Sequence, residues 1–427
     1  MPMEKSGGRG DRPANSYRAL FAIPGTGRLL VGYLLARMPV GVIGLSLLLL
    51  GQETGGTARS GLLVGAFSAA LMIATPLLGR ALDTFSASRV LLLTAVAHCA
   101  ALALLAACWS VSAVSSPALP LAGAVLAGAS LPPAGPALRV ALPTFVPDEL
   151  LTTSFTIEAV ILETVYVIGP LLVGVLGALA GWFPLAAAGV ATVTGVAVML
   201  GSARLAPPAA AGPAAGGPAG GRTRPALWTL GPLTDGGVRR LLVGAFLFLP
   251  SLAVLEVGVA GVAGELHRPE LLGVIMAVAA AASLSGGLLF GMRRWPGSLP
   301  VHMTVLAGWF AAASVLGALA PGPWLVGTAV ALGSLVVAPA LALLSRIAGI
   351  VAPDGRKAET YTWLSTMNNC GQAATLPLAG LLAARQGPEG AFLLAAVLAA
   401  AAGLFILTSR HRFAPTETPA PVKVLQT

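Results

Sequence analysis

Twelve long apolar runs, separated by short polar breaks, constrain this chain more than any other feature of its sequence. They fall at about 28–50, 60–79, 90–113, 119–142, 153–178, 183–203, 239–261, 271–292, 301–320, 324–350, 359–384 and 389–409. At 1.5 Å per helical residue each can cross the ~30 Å of hydrocarbon in a bilayer. No water reaches the backbone there, so only helices and closed barrels can span it. The runs lack the alternating polarity of barrel strands. Composition agrees: 56% of the 427 residues are hydrophobic and 10% are charged, against roughly 25% charged in soluble domains. The expected fold is an all-α integral membrane protein, with twelve transmembrane helices in two six-helix bundles.

The expected organisation is an N-terminal cytoplasmic segment (1–27), a first bundle (28–203), a linker (204–238), a second bundle (239–409) and a tail (410–427). The linker contains APPAAAGPAAGGPAGGRTRP, and Pro and Gly at that density make a flexible connection rather than a packed core. The first apolar run, from Leu29 past Leu50, is too long for a signal-peptide core and lacks a cleavage site after it. With the N-terminus inside, 21 of the 25 Lys and Arg residues fall in inner segments and three, Arg59, Arg268 and Arg385, in outer loops, while Arg37 lies within a span. This bias puts both termini on the cytoplasmic side of a cell membrane. It also accounts for the net charge of +9 without nucleic acid. Cys99, Cys108 and Cys370 lie in apolar runs with no partner at metal-ligand spacing, so neither a disulfide framework nor a metal is expected.

A weak internal repeat relates the halves. Pro136-Ala137-Leu138, Pro147-Asp148 and Pro170 through Gly174 recur at offsets of 203 to 207 as Pro339-Ala340-Leu341, Pro353-Asp354 and Pro377 through Gly380. Corresponding helices then point the same way, as in transporters built from parallel repeats.

The loop after the second run reads Gly79-Arg80-Ala81-Leu82-Asp83-Thr84-Phe85-Ser86-Ala87-Ser88-Arg89. It resembles the helix 2–3 motif of the major facilitator superfamily, matching at Gly79, Asp83 and Arg89 and departing at Thr84, Ser86 and Ser88. The resemblance implies that the Gly permits close helix approach and the Asp acts as a conformational latch. Gly169-Pro170-Leu171-Leu172-Val173-Gly174 looks like part of the antiporter motif of the same superfamily, with Gly169, Pro170 and Gly174 matching and Val165 and Val173 not. In that family the motif is associated with exporters. Drug–proton antiporters of the superfamily often carry an Arg within helix four, and Leu121 to Pro133 holds none.

Ionisable residues within spans are costly and are functional candidates by default. Arg37 and Glu163 lie at matched depth in the first and fifth runs, and an ion pair between them is expected at the centre of the mechanism, for proton coupling or substrate binding. Glu158, five residues before Glu163, points about 140° away and could meet Arg139. Glu256 is a cavity candidate in the seventh run. Asn368, Asn369 and Gln372 in the eleventh can bridge helices or line a wet cavity, and Glu359 is expected at an interface near the inner end. His98 is read as a helix–helix hydrogen bond, and Trp109, Trp182, Trp324 and Tyr17 as membrane-interface residues.

No G-x-x-x-x-G-K-[ST], GxSxG or HExxH motif occurs, so ATP-driven transport and hydrolytic chemistry are not expected, and neither is a cofactor. The reading is a monomeric secondary transporter that exports a small molecule from the cytoplasm by proton antiport, alternating access to a midplane site. A proton-coupled or facilitated importer of a sugar, amino acid or organic acid is the alternative, and a non-transporting receptor is a further one.

Overall fold

The structure, a computed structural model, describes residues 14–110, 118–202, 231–268, 270–293 and 295–413. The terminal segments, most of the expected linker (204–230) and the cations Lys5, Arg9, Arg12, Arg204, Arg222, Arg224, Arg294 and Lys423 lie outside these residues. A short helix, Ala14–Ala22, leads into the spans. In the first half these are α1 Thr26–Thr54, α2 Arg59–Thr84, α3 Ala87–Ser110, α4 Ala118–Thr144, α5 Asp148–Gly177 and α6 Phe183–Leu200. The second half holds α7 Gly236–Glu265, α8 Glu270–Gly291, α9 Leu299–Ala318, α10 Pro323–Val351, α11 Lys357–Gln386 and α12 Pro388–Thr408. Eleven helices are long and apolar enough to cross a membrane. α11 has the length, 30 residues, but Glu359, Asn368, Asn369, Gln372 and Arg385 dilute its hydropathy. The protein is a multi-pass membrane protein.

Local chemistry sets several boundaries. α1 and α2 form a hairpin through Gly56 at φ +74°, a conformation glycine adopts without steric cost. The Ser60 hydroxyl closes that turn on the Leu48 carbonyl at 2.7 Å. α7 starts at Gly236, three residues earlier than expected, because Asp235 accepts from the amides of Gly237 (2.8 Å) and Val238 (2.9 Å), an N-cap that extends the helix. α4 and α10 are each broken in the middle. α4 stops at Ser130 and resumes at Ala134 after Leu131-Pro132-Pro133. α10 stops at Ser334 and resumes at Val337. The breaks are 203 residues apart, the spacing of the Pro-Ala-Leu repeat.

The buried core falls mostly by half, with Ala342 and Val140 packing across. One cluster runs from Val238 to Phe413 through the second half, with Phe248, Phe310 and Phe392 at its centre. Two clusters fill the first half, around Leu29, Tyr33 and Phe155 and around Ile43, Leu47 and Leu105. Large apolar side chains such as Ile73, Leu93 and Leu179 point outward, where lipid would solvate them. Lipid is as apolar as leucine, so helices associate through close packing and polar links rather than hydrophobic drive. The crossing of α1 and α5 shows this. A Cβ on Gly169 would strike the Gly41 backbone, and one on Gly41 would strike the Val165 carbonyl. A Cβ on Gly174, by contrast, meets nothing within 4 Å.

Gly169→Val should therefore destabilise by about 1–3 kcal/mol through overpacking. Gly174→Ala should change stability by less than about 0.5 kcal/mol. Thermal denaturation of the two purified variants checks the contrast.

Candidate functional site

A cavity of about 230 Å³ lies between the halves. Its charged and amide lining consists of Arg37 on α1, Arg139 on α4, Glu158 on α5, and Asn368 and Asn369 on α11. Pro132, Pro133 and Pro136 border it too, so the break in α4 faces the space, as irregular backbone at membrane depth must. Arg37, Glu158 and Asn368 each lie ten or eleven residues from the starts of their helices, ~15–17 Å along the axis. They therefore meet near mid-depth.

The strongest interaction in the lining is Arg139 with Glu158. Nε of Arg139 donates to both carboxylate oxygens, at 2.8 and 2.9 Å. The Tyr33 hydroxyl donates to the same carboxylate at 3.1 Å, and the guanidinium stands 5.7 Å from the Tyr361 ring centroid, within cation–π range. Tyr33 and Tyr361 are fully buried. Tyr361 belongs to the second half, so this network also joins the two halves. Arg139, Tyr33 and Tyr361 were not singled out as site residues from sequence. Arg139 falls at the inner end of its apolar run and counts there as a boundary charge, but the α4 break turns it inward. α4 thus carries an Arg after all, beyond the stretch from Leu121 to Pro133.

The expected Arg37–Glu163 pair does not form. Neither side chain makes an ion pair within 4 Å among the described residues, and the Nε of Arg37 is buried without an acceptor. Helical phase explains this. Glu158 lines the cavity, and Glu163, 140° further round, lies outside the lining. Glu163 instead lies within electrostatic range of Glu256 on α7, and Arg37 is not among the charges acting on it. Tyr166, 53% exposed, is reached by the fields of Arg37, Glu163 and Glu256. Glu256 is exposed and outside the lining. Gln372, one turn beyond Asn368, donates to its Oδ1 at 3.1 Å and does not line the cavity. His98 donates from Nδ1 to the Ala127 carbonyl, 2.9 Å away on α4, which is the expected helix–helix bond. Trp109 donates to Glu53 at 2.6 Å. Tyr17 donates to the Leu288 carbonyl at 2.8 Å, linking the two halves.

Hydrogen bonds between the halves cluster on one face, which carries the α2–α3 and α10–α11 connections. Asp83 Oδ1 and Oδ2 accept from the backbone amides of Ala358 (3.0 Å) and Glu359 (2.8 Å). These are among the first amides of α11, which have no partner within the helix, and a carboxylate there also suits the helix dipole. This capping starts α11 at Lys357, two residues earlier than expected. Arg80 Nε donates to Glu359 Oε1 at 2.6 Å, with Arg356 3.9 Å from the other oxygen. Gly79 allows the approach, since a Cβ there would meet Thr362 Cγ2 at 2.8 Å. Nearby, Arg346 bonds Thr152 and pairs with Asp148 at 3.2 Å, and Thr153 donates to the Gly291 carbonyl at 2.6 Å. Arg89, the third matching position of the motif, is exposed and takes no part in these contacts.

No protein-family sequence model and no curated protein sequence matches this chain. Solved structures do match over nearly the whole length. A bacterial homologue of the iron transporter ferroportin, in an outward-facing state, aligns with TM-score 0.71 at 16% identity, covering 90% of this chain and 99% of that one. The human organic anion transporter MFSD10 aligns with TM-score 0.66 at 17% identity, covering 92% and 99%. The Escherichia coli fucose:proton symporter FucP, described as a major facilitator superfamily transporter in an outward conformation, aligns with TM-score 0.65 at 15% identity, covering 93% and 99%. The fold is that of the major facilitator superfamily. In this chain, the broken α4 and the polar α11 both border the cavity and meet at Arg139 and Tyr361.

Two outcomes follow from the geometry. Glu158→Gln leaves Arg139 buried against an uncharged partner and should destabilise by up to about 3–5 kcal/mol, read as a lower thermal midpoint or folded yield. Asp83→Ala removes two charge-assisted bonds and should weaken the seal by about ten-fold or more. A cysteine at Thr362, buried beneath Gly79, in a protein whose native cysteines are replaced by alanine, should then label at least ten times faster than with Asp83 intact.

Proposed function

We propose that this chain is a secondary active transporter of the cell membrane that carries a small molecule out of the cytoplasm in exchange for protons. One observation carries the reading: a polar, mid-depth cavity lies between two helical halves whose hydrogen bonds to each other are concentrated on a single face. A cavity closed toward one side and bordered by both halves fits alternating access, in which rocking of the halves exposes it to each side in turn. The sealed face carries most of the basic residues, so positive-inside topology makes it cytoplasmic, with both termini on that side and the cavity facing outward.

Glu163 and Glu256 supply the coupling in this reading. They sit on opposite halves, within electrostatic range of each other and without a paired cation among the described residues. Glu256 lies 20 residues along α7 from Gly236, ~30 Å from the sealed face. When both are ionised they repel across the outer opening. A proton taken from outside relieves that repulsion and lets the outer side close, which carries the proton inward as the cavity turns toward the cytoplasm. One proton crossing 100 mV supplies about 2.3 kcal/mol. Export is favoured over uptake by the resemblance of Gly169-Pro170 to the antiporter motif that in the superfamily is associated with exporters.

Proteoliposomes with an imposed pH gradient test the proposal. Wild type should show proton movement that depends on added substrate, and Glu163→Gln should lose it. Proton and substrate moving in opposite directions gives antiport, and movement together gives symport. Equal signals from wild type and variant remove Glu163 from coupling.

A further inference from the structure

The charges lining the central cavity do not balance. Arg139 and Glu158 neutralise one another through their paired hydrogen bonds. Arg37 is then the one lining cation without a counter-ion among the described residues. Glu163 does not supply one, because it lies off the lining and within range of Glu256 instead. Arg37 is also unsatisfied as a donor, since its Nε is buried with no acceptor. The rest of the lining divides into polar groups on α11, Ser365, Asn368 and Asn369, and apolar walls formed by Phe155, Leu162 and Leu249 among others.

Arg37 is half-buried, with its Nε shut off from water, and a charge partly withdrawn from water is best held when it is paired and hydrogen-bonded. Its planar fork of N–H donors matches a carboxylate, and charge-assisted bonds of this kind are the strong ones. A cationic ligand would add like charge beside Arg37. A neutral one would fill the hydrogen bond and leave the charge. Resting on the transporter reading, we infer that the cavity binds a small organic monoanion: a carboxylate held by Arg37, with a compact apolar body against the walls of α5 and α7. Asn368 and Asn369 reach the ligand from the opposite half. The volume, about 230 Å³, lies below the ~300–1,000 Å³ of pockets for drug-sized ligands, so the body is small.

Thermal unfolding of the purified full chain, with two matched series of ligands, tests this. The series are benzoate, benzamide and benzylamine, and hexanoate, hexanamide and hexylamine. Stabilisation by a ligand reports its binding to the folded state. At least one carboxylate should raise the wild-type midpoint where its amide and amine do not. Arg37→Gln should weaken that carboxylate about ten-fold or more, the effect of losing a charge-assisted bond, and Arg37→Lys should retain part of it. If Arg37→Gln does not fold, Asn368→Asp serves, because a negative charge on the lining must also weaken the carboxylate. The inference is overturned by carboxylates that bind Arg37→Gln as well as wild type, by a preference for the amines, or by no response to any of the six. Proton-coupled flux of an amine or amide without carboxylate binding would overturn it and leave transport standing. Carboxylate binding with no flux of any compound would count against transport and leave the anion site standing.

Discussion

A chain in lipid must satisfy its backbone within itself and then hold its helices together without help from water. The first demand makes every span a helix. The second shifts the burden of assembly to contacts that work in an apolar solvent: close approach at small residues and hydrogen bonds between helices. This protein uses both devices. Within a half, glycine crossings such as Gly41 on Gly169 bring backbones together. Between halves, the hydrogen bonds sit at one end, and glycines such as Gly79 and Gly287 allow close approach there as well. Packing built from small residues resists sliding, whereas a few polar bonds at one face can be exchanged for others.

The polar groups are spent unevenly along the membrane normal. At the sealed face, carboxylates meet backbone amides and guanidinium groups, and most charges have partners. At mid-depth, Arg139, Glu158, Tyr33 and Tyr361 form a satisfied network, while Arg37 beside them does not. Further out, Glu163 and Glu256 lie on opposite halves within electrostatic range of each other.

Most of the fold was legible in the sequence because hydropathy acts along the chain and needs no knowledge of neighbours. The run lengths gave the spans, and the resemblance of the Gly79–Arg89 loop to the helix 2–3 motif implied a latch role for Asp83. What was not legible depended on rotation. Depth along α1 and α5 put Arg37 and Glu163 at one level, but level does not fix which way a side chain faces, and Glu163 turns to Glu256. The 140° between Glu158 and Glu163 was readable and separates the two, but it does not say which of them lines the cavity. Arg139 was hidden for a different reason: it sits where an inner-face charge is expected, and only the break in α4 turns it inward. The starts of α7 and α11 moved because Asp235 and Asp83 cap them, one from the same chain segment and the other from the opposite half.

The seal between the halves has an asymmetry that reaches beyond its strength. Asp83 grips main chain, not side chains. Every residue type except proline presents that same amide, so drift at positions 358 and 359 leaves the grip intact. All the chemical information in this contact therefore resides on the α2 side. The α11 side contributes only where its first turn begins. The lock can be retuned by changing one carboxylate, while its keyhole is guaranteed by the helix itself.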